Sequence, residues 1–157
     1  MLASLGLLTI TLFSFVHPAA NFSGNWTLNE SKSNLGGVRF NMVGGKLDVT
    51  QADALLTIVR HTQGPNGENN VTEKVTLDGK ENQNKVFGET IKKSTAKWSD
   101  DGSSLTISSV IVFERDGNST EIKSSEVWKL GSDGTLSIDF SSSSSFGDAK
   151  GTYVFTK

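Results

Sequence analysis

Four charged residues fall where strand alternation turns them toward an apolar face. Arg60 is in step with Leu56 and Ile58, Glu73 with Val71, Val75 and Leu77, Arg115 with Ile111 and Phe113, and Glu126 with Ser124 and Trp128. An unpaired charge in apolar surroundings is expensive, so inward side chains of this kind must pair, hold water or meet a ligand. Arg60 and Arg115 stand near strand ends, where a long side chain also reaches solvent. Glu126 lies mid-strand and calls for a basic partner such as Arg60 or Arg115. The aromatic residues Trp98, Phe113 and Trp128 share these runs. They either fill the interior or line a cavity, and a mixed aromatic and charged lining suits an amphiphile with a polar head.

Residues able to do covalent or metal chemistry are scarce. His61 is the only histidine after His17, and there is no cysteine. A nucleophilic serine needs a base and an orienting partner, and a zinc site needs about three protein ligands. One histidine supplies neither, and His61 between Arg60 and Thr62 reads as a surface or rim residue. Glu68 and Glu73 are not spaced for a defined site, and Asp100-Asp101 reads as hairpin chemistry rather than a calcium ligand set. No glycine-rich phosphate cradle follows a strand and opens a helix. The reading is of no catalytic residue, no metal and no cofactor.

The elements that must position these residues are strands. Turn signals recur at Gly64-Pro65-Asn66-Gly67, Asp78-Gly79, Asp101-Gly102, Asp116-Gly117, Asp133-Gly134 and Gly147-Asp148. Between them lie runs rich in Val, Ile, Thr, Phe and Trp, without a sustained helical period. Strands are expected near 22–28, 46–51, 54–62, 69–77, 84–98 with a break at Gly88, 103–115, 119–130, 135–143 and 150–156. Such a meander buries one face and removes its edges by closing on itself. The expected fold is all-β, a single antiparallel meander barrel of eight to ten strands, with a two-sheet sandwich as the second reading. Residues 29–45 form a long connection across a barrel mouth, with one helical turn near Glu30 to Asn34. Val110, Val112 and Val127 fall on the outer face.

The 157 residues divide into 1–20 and one domain over 21–157. Leu5 to Val16 is an apolar run too short to span a membrane, followed by Pro18-Ala19-Ala20, the order of a signal peptide cleaved after Ala19 or Ala20. Export to the periplasm or the outside is therefore expected, with no integral membrane span in the mature chain; the alternative, since no Lys or Arg precedes the apolar run, is a retained N-terminal anchor. A net charge of −2 with both signs interspersed excludes the basic stripe of a nucleic-acid binder and a polybasic patch for anionic lipid.

The opening strand reads Phe22-Ser23-Gly24-Asn25-Trp26-Thr27-Leu28. Its Gly-x-Trp resembles the signature of the lipocalin and fatty-acid-binding (calycin) superfamily, and streptavidin-type barrels open in the same way. The resemblance implies a lipocalin-like barrel in which Gly24 and Trp26 plug the closed end. The continuation Leu28 to Gly36 resembles small exported bacterial lipocalin-like proteins. Lipocalins usually stack an Arg near the last strand on the first-strand Trp, whereas the final strand here offers only Lys150 and Lys157. The function these features imply is an exported binding protein for a small apolar or amphiphilic ligand held in the lumen by Arg60, Glu73, Trp98, Phe113, Arg115, Glu126 and Trp128. The alternative is a structural or inhibitor-like barrel with a filled interior and a protein partner on its apolar outer positions.

Overall fold

A computed structural model describes residues 19–36, 42–64, 67–115 and 117–157, and of Arg115 the backbone alone. Residues 1–18, which carry most of the expected signal peptide, lie outside the described part.

Ten strands follow in sequence: β1 (Gly24–Leu28), β2 (Lys46–Ala52), β3 (Leu55–Gly64), β4 (Gly67–Thr76), β5 (Asn82–Phe87), β6 (Thr90–Trp98), β7 (Ser104–Arg115), β8 (Asn118–Leu130), β9 (Leu136–Ser144) and β10 (Gly147–Thr156). Each pairs antiparallel with its chain neighbour except β4 with β5, and β1 pairs with β10, so the sheet order is β4-β3-β2-β1-β10-β9-β8-β7-β6-β5. The count is the upper end of the expected range because the 84–98 run divides at Gly88 into β5 and β6. The consecutive serines from Ser141 to Ser144 continue β9 to its end. The connection after β1 holds one 3-10 turn, Glu30–Lys32, capped by the Asn29 side chain.

The two ends of the sheet meet at a seam between β4 and β5. Side chains there replace the missing ladder. The Asn84 amide accepts from the Lys74 N–H at 2.8 Å and donates to the Lys74 carbonyl at 3.0 Å, as a peptide group would. Asn82 Oδ1 accepts from the Thr76 N–H at 3.2 Å. These bonds satisfy an edge that would otherwise present bare donors and acceptors to other chains.

The turns after β2, β4, β6 and β8 gather at one end, and residues 20–23 cross that end. Ala20 N–H donates to the Gly102 carbonyl at 3.1 Å, and Phe22 N–H to Gln51 Oε1 at 3.1 Å. Phe22 is fully buried there, stacked on Trp98 at 5.7 Å and edge-on to Trp128 at 5.6 Å. Trp26 is 2 % exposed and its indole N–H donates to the Phe22 carbonyl at 2.9 Å. The Lys157 ammonium, just past β10, lies 4.8 Å from the centroid of the Trp26 ring, a cation–π contact from the end of the last strand onto the first. Gly24 makes room for it: its φ is +150°, and a Cβ would approach Lys157 Cε to 2.8 Å. The opposite end, at which β3, β5, β7 and β9 finish, is the mouth, and residues 37–41 of the connection expected across it lie outside the described part.

Truncating a Trp buried on this many sides costs about 3 to 5 kcal/mol, a large share of the roughly 5 to 15 kcal/mol available to a domain. Trp26→Ala should lower the urea midpoint accordingly. A midpoint close to wild type would remove Trp26 from the plug.

Candidate functional site

Strand alternation carries Arg60 on β3, Glu73 on β4, Lys92 on β6 and Glu126 on β8 to the middle of the lumen. All four are at most 5 % exposed. Arg60 Nε donates to Glu73 Oε1 at 2.8 Å and Arg60 Nη2 to Glu126 Oε2 at 2.8 Å. Lys92 Nζ donates to Glu73 Oε2 at 2.8 Å. Two cations thus face two anions, and the quartet is neutral. Two further bonds tie it to its surroundings: Arg60 Nη1 donates to the Val43 carbonyl at 3.0 Å, and the Trp128 indole N–H to Glu126 Oε2 at 2.9 Å. The Arg60 guanidinium also lies 5.9 Å from the Trp128 ring centroid.

Burial alone would push the Glu73 carboxyl up, but the adjacent Arg60 and Lys92 charges and their hydrogen bonds outweigh it and hold it at about 2. Burial likewise works against the Arg60 cation, and the two carboxylates more than offset it, so its pKa is raised. Tyr153, fully buried on β10, is raised by burial and by the Glu126 charge.

The quartet divides the lumen. Below it, toward the closed end, the interior is filled by Trp128, Leu105, Ile107, Leu136, Ile138, Phe155 and their neighbours. Above it a separate cluster of Val71, Val86 and Ile111, with Met42 and Phe113 against it, occupies one side of the mouth. Phe87 stacks on Phe113 at 6.1 Å and is 39 % exposed at the rim. On the opposite side the inward positions Ile122, Ser124, Ser142 and Ala149 are only half-buried, whereas Glu126, Trp128, Ile138 and Phe140, further down the same strands, are buried. The buried Ser94 and Ser109 hydroxyls, 2.9 Å apart, add a polar step to the β6–β7 wall. Among the described residues the mouth half, or cup, is thus bounded by the charged quartet, an apolar side and a half-buried, serine-bearing side.

The expected site residues separate across this division. Arg60, Glu73 and Glu126 meet in the floor, with Arg60 as the partner that Glu126 required. Phe113 is in the cup. Trp128 lies beneath the floor, and Trp98 packs against the closed-end core beside Phe22, away from the cup. Gly24 and Trp26 form the closed end. The Arg115 side chain lies outside the described part. Lys92 was not among the expected residues, although its alternation with Ser94, Ala96 and Trp98 places it inside. Phe22, part of the plug, was not singled out either.

His61 lies on the outer wall. Its Nε2 is 2.8 Å from Asp48 Oδ2 and its Nδ1 2.8 Å from Glu68 Oε1, and these hydrogen bonds raise its pKa. Asp101 accepts from the Ser99 hydroxyl at 2.7 Å and the Ser103 N–H at 3.0 Å, closing its hairpin. Among the described residues no three His, Asp or Glu side chains gather to hold a metal, and no helix is long and apolar enough to cross a membrane. No protein-family model, curated protein or solved structure matches the chain.

Glu126→Gln leaves Arg60 and Lys92 facing one carboxylate in a buried site and should cost about 3 to 5 kcal/mol at neutral pH. An unfolding midpoint within error of wild type would mean that the quartet bears no stability. The Glu73 carboxyl is depressed from 4.5 to about 2. Its contribution is therefore complete above the unfolded value and is lost as pH falls from about 5 toward 2. Midpoints measured over that range should decline more steeply for wild type than for Glu73→Gln; parallel curves would contradict the depressed carboxyl.

Proposed function

We propose that the chain is an exported binding protein of the calycin kind, acting as a carrier rather than a catalyst, and that it takes a small amphiphile into the mouth half of its barrel. The observation that carries this reading is the change in the inner wall above the quartet, where Ile122, Ser124, Ser142 and Ala149 face the lumen yet stay half-buried. An apolar tail has Val71, Val86, Ile111, Phe113 and Met42 to lie against. A polar head meets the floor at Lys92. The ammonium carries three protons, and one hydrogen bond, to Glu73, uses one of them among the described residues. The floor is pre-organised, since each of its charges is already held by a bond of 2.8 Å, so binding needs little reordering of the protein.

The quartet holds itself together without a ligand. That separates a structural Glu126 from one shared with a head group: Glu126→Gln should weaken folding while leaving affinity within about twofold, a difference of about 0.4 kcal/mol.

A dansylated undecanoic acid, titrated by fluorescence into purified protein, should bind saturably with one equivalent per chain by native mass spectrometry. Ser142→Phe, which fills the accessible side of the cup, should weaken it more than tenfold at unchanged unfolding midpoint. A probe that does not titrate, or equal affinity in the filled variant, would sink the carrier reading in favour of a barrel that works through a protein partner.

A further inference from the structure

Tyr153 is the only tyrosine of the chain, and its hydroxyl does nothing for the fold. The ring is fully buried on the inner face of β10 and stands edge-on to Phe140 at 6.2 Å. Among the described residues nothing donates to the phenol oxygen and nothing accepts its proton. Glu126 is half in the same position: its Oε2 takes both the Arg60 and the Trp128 bonds, and its Oε1 takes none. Bare polar groups in an apolar interior are costly unless something answers them.

The two groups are neighbours without being partners. The Glu126 charge is felt by the phenol and, after burial, pushes its pKa up, so that at neutral pH the hydroxyl keeps its proton and is a donor. Neither oxygen is sealed in, because among the described residues no side-chain oxygen or nitrogen closed to solvent lacks a partner. An oxygen that has no partner therefore borders space that a water-sized group can enter. Glu126 is the inward position next after Ser124 on β8, which sets that space at the floor of the cup.

We infer that the Tyr153 hydroxyl and Glu126 Oε1 form a subsite for a hydroxyl group of the ligand, so that the amphiphile taken by the cup is a hydroxylated acid rather than a plain one. This rests on the cup being an amphiphile site, as proposed above. Through one oxygen, a hydroxyl gives a proton to Oε1 and accepts one from the phenol. A carbonyl would leave Oε1 unanswered, a second carboxylate would meet the Glu126 charge, and an ammonium could accept nothing from Tyr153. Lys92 and Tyr153 flank the same quartet, Lys92 through Glu73 and Tyr153 beside Glu126. A ligand with its carboxylate on Lys92 thus carries the hydroxyl a few bonds from its head. A site whose polar groups wait for a hydroxyl discriminates against the analogue that lacks it.

The test is competition against the dansylated probe by tetradecanoic, 2-hydroxytetradecanoic and 3-hydroxytetradecanoic acids. At least one hydroxy acid should displace the probe at a concentration about tenfold or more below that of tetradecanoic acid. Tyr153→Phe should shrink that ratio to less than about twofold, at an unfolding midpoint no lower than wild type, because the hydroxyl it removes bonds nothing in the fold. In protein carrying ¹³Cζ-tyrosine, the single tyrosine resonance should shift with the preferred hydroxy acid and hold its place with tetradecanoic acid. The inference alone is overturned if tetradecanoic acid displaces the probe and neither hydroxy acid does better, or if the preference survives in Tyr153→Phe. It is also overturned if no acid moves the ¹³Cζ resonance, since a trapped water would then be all that the space holds. If neither the probe nor any of the acids binds, the amphiphile site falls and the hydroxyl subsite with it.

Discussion

Arg60 is the residue on which the interior is organised. A guanidinium 2 % exposed in the middle of a barrel is tolerable only if each of its three nitrogens finds an acceptor, and the acceptors come from three separate parts of the chain. Glu73 on β4, Glu126 on β8 and the Val43 carbonyl in the connection before β2 converge on it. Strands distant in sequence are thus drawn to one point, and the backbone at Val43, ahead of β2, is tied to it. Replacing a buried ion cluster by apolar side chains is often neutral or stabilising, so stability alone does not account for the quartet. What it adds is a polar boundary that an apolar core would lack.

The rest of the lumen follows from that boundary. Below it, Phe22, Trp26 and Trp128 with the aliphatic residues of β7, β9 and β10 pack to exclusion of solvent. Above it the inward side chains on β8, β9 and β10 include Ser124, Ser142 and Ala149, while Val71, Val86, Ile111 and Phe113 make an apolar cluster on β4 to β7. The barrel is closed less by its backbone than by the Asn82 and Asn84 amides, which let β4 and β5 meet without a ladder.

Much of this was legible in the order of residues, and the failures have physical causes. Period-two alternation located nine of the strand runs, and the demand of a mid-strand carboxylate for a base led from Glu126 to Arg60. Lys92 escaped because its nearest neighbours in the run, Lys-Lys-Ser-Thr, are polar, and the apolar residues that share its face, Ala96 and Trp98, come only four and six positions later. Trp98 was read as a lining residue because its face is right; its depth along the axis depends on strand stagger, which spacing does not encode. The seam asparagines look like ordinary turn-flanking polar residues until closure brings β4 beside β5. Lys157 likewise meets Trp26 only once β10 has come round to β1.

The absence of cysteine makes the division of the lumen directly measurable. Single-cysteine variants at Ile122 and Ser142, above the quartet, and at Ala96 and Ile138, below it, can be exposed to a small methanethiosulfonate under native conditions. The account predicts that the thiols at 122 and 142 react readily and are protected by the dansylated amphiphile, while those at 96 and 138 react only when the protein unfolds. Thiols at 122 and 142 as inert as those at 96 and 138 would contradict it, since the barrel would then be filled from end to end.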